Sequence, residues 1–173
     1  PGGMRKSSNL PTKSKKSGYE YVEEFKRQNK VFNKINPDGL SIISIVTLKT
    51  YSGIDIVSSS LRLQFKDTII QTILNNGTTT YPFLDKDDNV YTELNNNSLL
   101  NIDIPKYEDM IELSKKLACE MTEFKEIEWL FTLDNNKIEL LGCGMWNNYL
   151  FAQKQIYLNN KDGLYSYYQT KRF

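Results

Sequence analysis

No histidine occurs anywhere in the 173 residues. That absence removes Ser-His-Asp and Cys-His catalysis, histidine-ligated zinc and the usual proton shuttle near neutral pH. Cysteine is nearly as scarce. Cys119 and Cys143 stand far apart and outside any Cys-x-x-Cys pair, so they cannot build a zinc site, and both are expected to be core thiols rather than a disulfide. Neither zinc nor haem is expected as a cofactor. No apolar run approaches the length that crosses a bilayer, and the basic N-terminus has no apolar stretch behind it. A soluble, cytoplasmic protein without a membrane span is the expectation.

Acidic residues are missing from one stretch. Residues 1–18 carry Arg5, Lys6, Lys13, Lys15 and Lys16 with no Asp or Glu, although the whole chain has a net charge of only +1. A nucleic-acid partner is therefore not expected, and the basic arm reads as a solvated lead-in. Pro1-Gly2-Gly3 ahead of Met4 reads as the remnant of a tag.

Aromatic and aliphatic residues are plentiful enough for one core. Apolar positions at Tyr21, Val22, Phe25, Val31, Phe32 and Ile35 have helical spacing, so a helix is expected from Tyr19 to about Lys34, stopped at Asn36-Pro37-Asp38-Gly39. Strands are expected at Leu40–Leu48, Ile54–Phe65 and Thr68–Leu74. Tyr81–Leu84 and Val90–Thr92 should flank a hairpin turn at Asp85–Asn89. That acidic turn lacks the glycine and the closing glutamate of a calcium loop. Residues 93–101 read as an Asn-rich loop. A helix from Lys106 to Met121 is expected to bury Met110, Leu113, Leu117 and Met121. Ile127–Leu133 and Lys137–Leu141 form the clearest hairpin. An aromatic helix from Trp146 to about Leu158, holding Tyr149 and Phe151, would follow. The expected class is α+β, mainly an antiparallel sheet with helices packed on one face. Residues 1–18 would be a lead-in, 19–158 a single domain and 159–173 a tyrosine-rich tail.

Several segments, in order, resemble sugar-transfer-associated ATP-grasp proteins, a family linked to capsule and other surface-polysaccharide biosynthesis. Tyr21-Val22-Glu23-Glu24-Phe25 with Gln28 is similar to the family's hinge. Ile35-Asn36-Pro37 followed by Ser41-Ile42-Ile43-Ser44-Ile45-Val46-Thr47 resembles its first arginine strand, and Leu61-Arg62-Leu63 its second. Asn75-Asn76-Gly77, the Asp85–Asn89 turn, Ile104-Pro105, Glu128-Trp129 and Ile138 to Gln153 resemble the remaining units. The resemblance spans roughly residues 20–155.

It implies the C-terminal lobe of an ATP-grasp fold, with ATP and magnesium as cofactors. Glu23 or Glu24 would hold the nucleotide, Arg62 would contact phosphate as the catalytic cation, and Glu128 would be a metal ligand. Phosphoryl transfer needs cations on the phosphates and carboxylates around Mg²⁺. Here the chain departs from the pattern. Leu130 stands where an aspartate is usual, Leu141-Gly142-Cys143 replaces Glu-Gly-Asn, and Ser44 replaces the first arginine. There is also no room ahead of the hinge for a nucleotide lobe. The expected function is thus that of a truncated ATP-grasp-like protein, weak or inactive as an ATP-dependent ligase by itself. The alternatives are half of a split enzyme completed by a partner chain, and a non-catalytic interaction module. For the last, the basic arm and tyrosine-rich tail would meet a protein partner or a second copy.

Overall fold

The computed structural model describes residues 27–37, 39–65 and 67–145. In chain order the elements are α1 (Lys30–Ile35), β1 (Ser41–Thr50), β2 (Gly53–Phe65), β3 (Thr68–Ile73), β4 (Phe83–Leu84), β5 (Val90–Tyr91), β6 (Glu93–Leu94), β7 (Asn97–Ser98), α2 (Tyr107–Glu120), β8 (Glu126–Asp134) and β9 (Lys137–Gly144). Seven strands form one sheet in the order β5-β4-β3-β2-β1-β8-β9, with every neighbouring pair antiparallel. The expected class, α+β and mainly antiparallel, is the one observed.

The connectivity explains why a helix lies on the sheet. β1 to β5 run as a meander, each strand beside the last. The chain must then return to the free edge of β1, and α2 makes that journey across β1, β2 and β8. Antiparallel strands put alternate residues on opposite faces. Ile43 and Ile45 of β1, Leu61 and Leu63 of β2, Ile70 of β3, and Ile127, Trp129, Phe131 and Leu133 of β8 all enter the core. α2 buries Met110, Ile111, Ser114 and Ala118 there, and α1 adds Phe32 and Ile35. Trp129 is 1% exposed, and its indole N–H donates to Thr47 Oγ1 at 2.8 Å, so burial of a large ring leaves no polar atom unmet.

Three turns are set by residues that tolerate the left-handed backbone. Asn76 and Gly77 have φ of 47° and 82° in the tight turn closed between Asn75 and Thr78. Gly77 has a second reason to be glycine: an added Cβ would meet the Tyr107 ring at 2.6 Å. Asn135 has φ of 55° in the β8–β9 turn. Asn95 and Asn96 have φ of 49° and 59° between β6 and β7, so the segment read as an Asn-rich loop holds a small hairpin. Its asparagines have work beyond the turn. Asn95 Nδ2 donates to the Ile35 carbonyl at 3.2 Å and Asn97 Nδ2 to the Lys34 carbonyl at 3.1 Å, which meets acceptors left over at the end of α1.

Other expectations need correction. Residues 27–29 are not helical. Gln28 bridges to Asp134, and Asn29 is the N-cap of α1, accepting from the Val31 N–H at 2.9 Å. Residues 19–26, with Glu23 and Glu24, lie outside the described residues. So do the aromatic segment from Trp146, the lead-in and the tail. The buried stripe of α2 is turned from the expected one, with Leu113, Leu117 and Met121 at its margin. Cys119 and Cys143 are exposed thiols, not core ones. Ala118 is the position that α2 turns inward, and its neighbour Cys119 is thereby turned out. Cys143 lies on β9, the last strand of the sheet. Among the described residues, no helix is long and apolar enough to cross a membrane.

Candidate functional site

The alternation that buries Ile43, Leu61 and Trp129 on the helix side puts Ser44, Arg62 and Glu128 on the opposite face. Register makes them neighbours. Ser44 sits opposite Leu130 on β8 and Ser60 on β2, while Arg62 sits opposite Ile42 and Gln71. The Arg62 side chain reaches across β1, and its Nη2 donates to Glu128 Oε1. Ser44 Oγ donates to the same oxygen at 2.5 Å. Gln71 Nε2 donates to Ser60 Oγ at 2.8 Å on the same face. Four strands thus contribute to one polar row, which ends at Leu84 with Ile73 and Tyr81 packed on it.

The row is largely closed to water. Glu128, Ser44, Ser60 and Gln71 are buried, and the Arg62 side chain keeps 22% of its surface. Charges so placed need partners, because a half-desolvated carboxylate without a cation is costly. Arg62 supplies that cation. One donor is left over: Arg62 Nε is buried and has no hydrogen-bond partner among the described residues.

The side of Glu128 toward β9 is different. Gly144 is its direct partner there, and Gly142 is the partner of Leu130. A Cβ on either glycine would meet no non-neighbouring atom of the described residues within 4 Å. The bulge between Leu130 and Phe131 leaves Leu141 out of the pairing, and Leu141 is exposed.

Arg62 and Glu128, singled out separately in the sequence, are brought together. The final hairpin is separated from the β2–β3 strands by β1, and Arg62 spans it. The magnesium role implied for Glu128 does not fit these residues. Magnesium takes hard oxygens in a near-octahedral array. One Glu128 oxygen already accepts from two donors, while Leu130, Leu141 and Cys143 offer no side-chain oxygen. Among the described residues, no three or more Cys, Asp or Glu gather as a metal would need.

Sequence reasoning treated Ser44 only as a lost arginine and passed over Gln71 and Ser60. A signal was available for Ser44: it is one hydroxyl inside the run Ile42-Ile43-Ser44-Ile45, and a polar residue in an otherwise apolar central strand needs a partner. Gln28, placed with the hinge, is spent on structure. Its Nε2 donates to the Asn36 carbonyl at 2.7 Å and its Oε1 accepts from the Ser41 N–H at 2.6 Å.

Two other features are structural. Asp85 is held down to about 2 by the Asn89 side-chain amide, then by the N–H groups of Asn89 and Asp87 and the Tyr91 hydroxyl, with burial acting the other way. Those bonds, at 2.9 to 3.1 Å, use its oxygens within the turn, as the hairpin reading expects. A cleft of about 330 Å³ lies between Asn76-Gly77-Thr78 and the start of α2. Glu108 and Asp109 already complement the positive end of that helix.

Searches against protein-family models, curated proteins and solved structures returned no match to this chain.

Proposed function

We propose that this chain is an ATP-grasp-like protein of surface-polysaccharide metabolism, weak or inactive as an ATP-dependent ligase by itself. The observation that carries the reading is the meeting of Arg62 and Glu128 across β1. An ATP-grasp site needs its phosphate-binding cation and its metal carboxylate on one sheet face, supplied by separate strands. In this chain the two neutralise each other, while Leu130, Leu141 and Cys143 stand at the remaining ligand positions. With its carboxylate committed to a guanidinium, the site has low affinity for magnesium and for the nucleotide that magnesium would accompany.

Isothermal titration with Mg-ATP tests the reading. Little or no saturable heat is expected. Micromolar binding that disappears in Glu128→Ala contradicts it.

One observation favours a second reading, a non-catalytic module that binds a partner chain or a second copy. Leu140, Leu141 and Met145 are exposed along and just after β9, the strand at the end of the sheet. Deleting residues 161–173 or 5–18 should then weaken partner binding, and unchanged binding in both deletions counts against this reading.

A further inference from the structure

We infer that Glu128 is the internal gate of an oxyanion subsite on Arg62, and that the opened subsite takes a phosphate-class anion without any divalent cation. The inference deepens the proposed function and rests on it for the choice of phosphate. The gate itself stands on geometry.

A guanidinium presents five N–H donors in a planar fork that suits two oxygens of one anion at once. Glu128 uses that fork incompletely. A single carboxylate oxygen takes the Nη2 donor, and the same oxygen is shared with the Ser44 hydroxyl. The Nε donor beside it is shut away from water, and nothing among the described residues accepts from it. Orphaned buried donors are rare, and an internal ligand that leaves one open is a poor fit to its site. An anion bridging Nε and Nη2 would satisfy both. It can take Nη2 only after Glu128 has yielded that donor.

Glu128 has somewhere to go. On its β9 side the opposing residue is Gly144, followed by Gly142, and a Cβ at either position would meet no non-neighbouring atom of the described residues within 4 Å. The carboxylate can turn toward that space without displacing a side chain of the described residues. The Arg62 side chain keeps access to solvent, with 22% of its surface exposed. A phosphate competes well for it, having more charge than one carboxylate and oxygens spaced for two parallel bonds. No metal is required, because Arg62 is itself the cation, and Leu130, Leu141 and Cys143 offer magnesium no side-chain oxygen.

Calorimetric titration of the full chain with inorganic pyrophosphate, in EDTA, is the test. Glu128→Gln keeps the size of the side chain and its acceptor oxygen but removes the competing charge. It is expected to bind pyrophosphate about tenfold or more tightly than the unaltered chain, as loss of a close like charge allows. The gain should be unchanged when Mg²⁺ replaces EDTA and should vanish in the double variant with Arg62→Met. No gain in Glu128→Gln, a gain that needs Mg²⁺, or a gain that survives Arg62→Met would each overturn the inference. Should Glu128→Gln fail to fold, Ser44→Ala frees the same oxygen from its second donor and is expected to raise pyrophosphate affinity several-fold; an unaltered affinity overturns the gate. The two claims fail differently. Tight Mg-ATP binding by the unaltered chain contradicts the proposed function, whereas loss of the metal-free gain in Glu128→Gln contradicts the gate.

Discussion

The two faces of the sheet are made by the same strands and obey opposite rules. On the helix face, β1, β2 and β8 contribute Ile43, Ile45, Leu61, Leu63, Trp129 and Phe131, all nearly or wholly buried. On the other, the intervening positions contribute Ser44, Ser60, Arg62 and Glu128. The first face is held by area removed from water, which is non-directional and tolerant of repacking. The second is held by a few directional bonds around one charge pair, where losing a single member leaves another unpaired. A fold needs the first kind of face. The second kind can be exchanged for apolar residues only when both members of the charge pair change together.

That contrast predicts unequal responses to substitution. The largest effect belongs to the helix face: Trp129→Ala removes a fully buried ring and should cost about 3–5 kcal/mol, read as a lower urea midpoint. A loss below about 1 kcal/mol would mean that the core does not depend on this ring. On the polar face, Arg62→Met should cost about 3 kcal/mol, because Glu128 is left without its cation. The double change Arg62→Met with Glu128→Leu should recover most of that loss, which a double-mutant cycle measures directly. If the two single losses simply add, the pair is not coupled.

A smaller effect is expected at the turn that supports α2. Gly77→Ala must place a Cβ against the Tyr107 ring at a positive φ, at a cost of about 1–3 kcal/mol by thermal melting. The smallest is pH-dependent. The Asp85 carboxyl is lowered to about 2 in the folded chain, so its contribution is fully present above the ordinary carboxyl range near pH 4. It is lost as pH falls through that range toward 2. Asp85→Asn should flatten the fall in stability between pH 4 and 2, and an unchanged acid profile would show that the turn does not lower this carboxyl.

Much of the fold was legible because period-2 alternation and turn chemistry are local signals. Ile54–Phe65 was expected as a strand and β2 runs Gly53–Phe65; Lys106–Met121 was expected as a helix and α2 runs Tyr107–Glu120. The errors arose where a side chain does non-local work. Asn29 looks like an ordinary helical position until it is seen capping α1 and bonding to Asn136 at 3.1 Å. Asn95 and Asn97 look like loop residues until they meet the carbonyls of α1. At the candidate site, residue types could nominate Arg62 and Glu128 but not their contact. That contact depends on Ser44 being a small residue on the strand between them, a fact of register rather than of spacing. Glu23 and Glu24 lie outside the described residues and stay as the resemblance left them.

Central to the account is that the Glu128 carboxylate is spent on Arg62 and is no metal ligand. Titrating Mn²⁺, a paramagnetic stand-in for magnesium, into isotope-labelled protein and following the backbone amides tests this directly. The account predicts no selective broadening at residues 126–130 at millimolar Mn²⁺. Selective broadening there, abolished by Glu128→Gln, would contradict it.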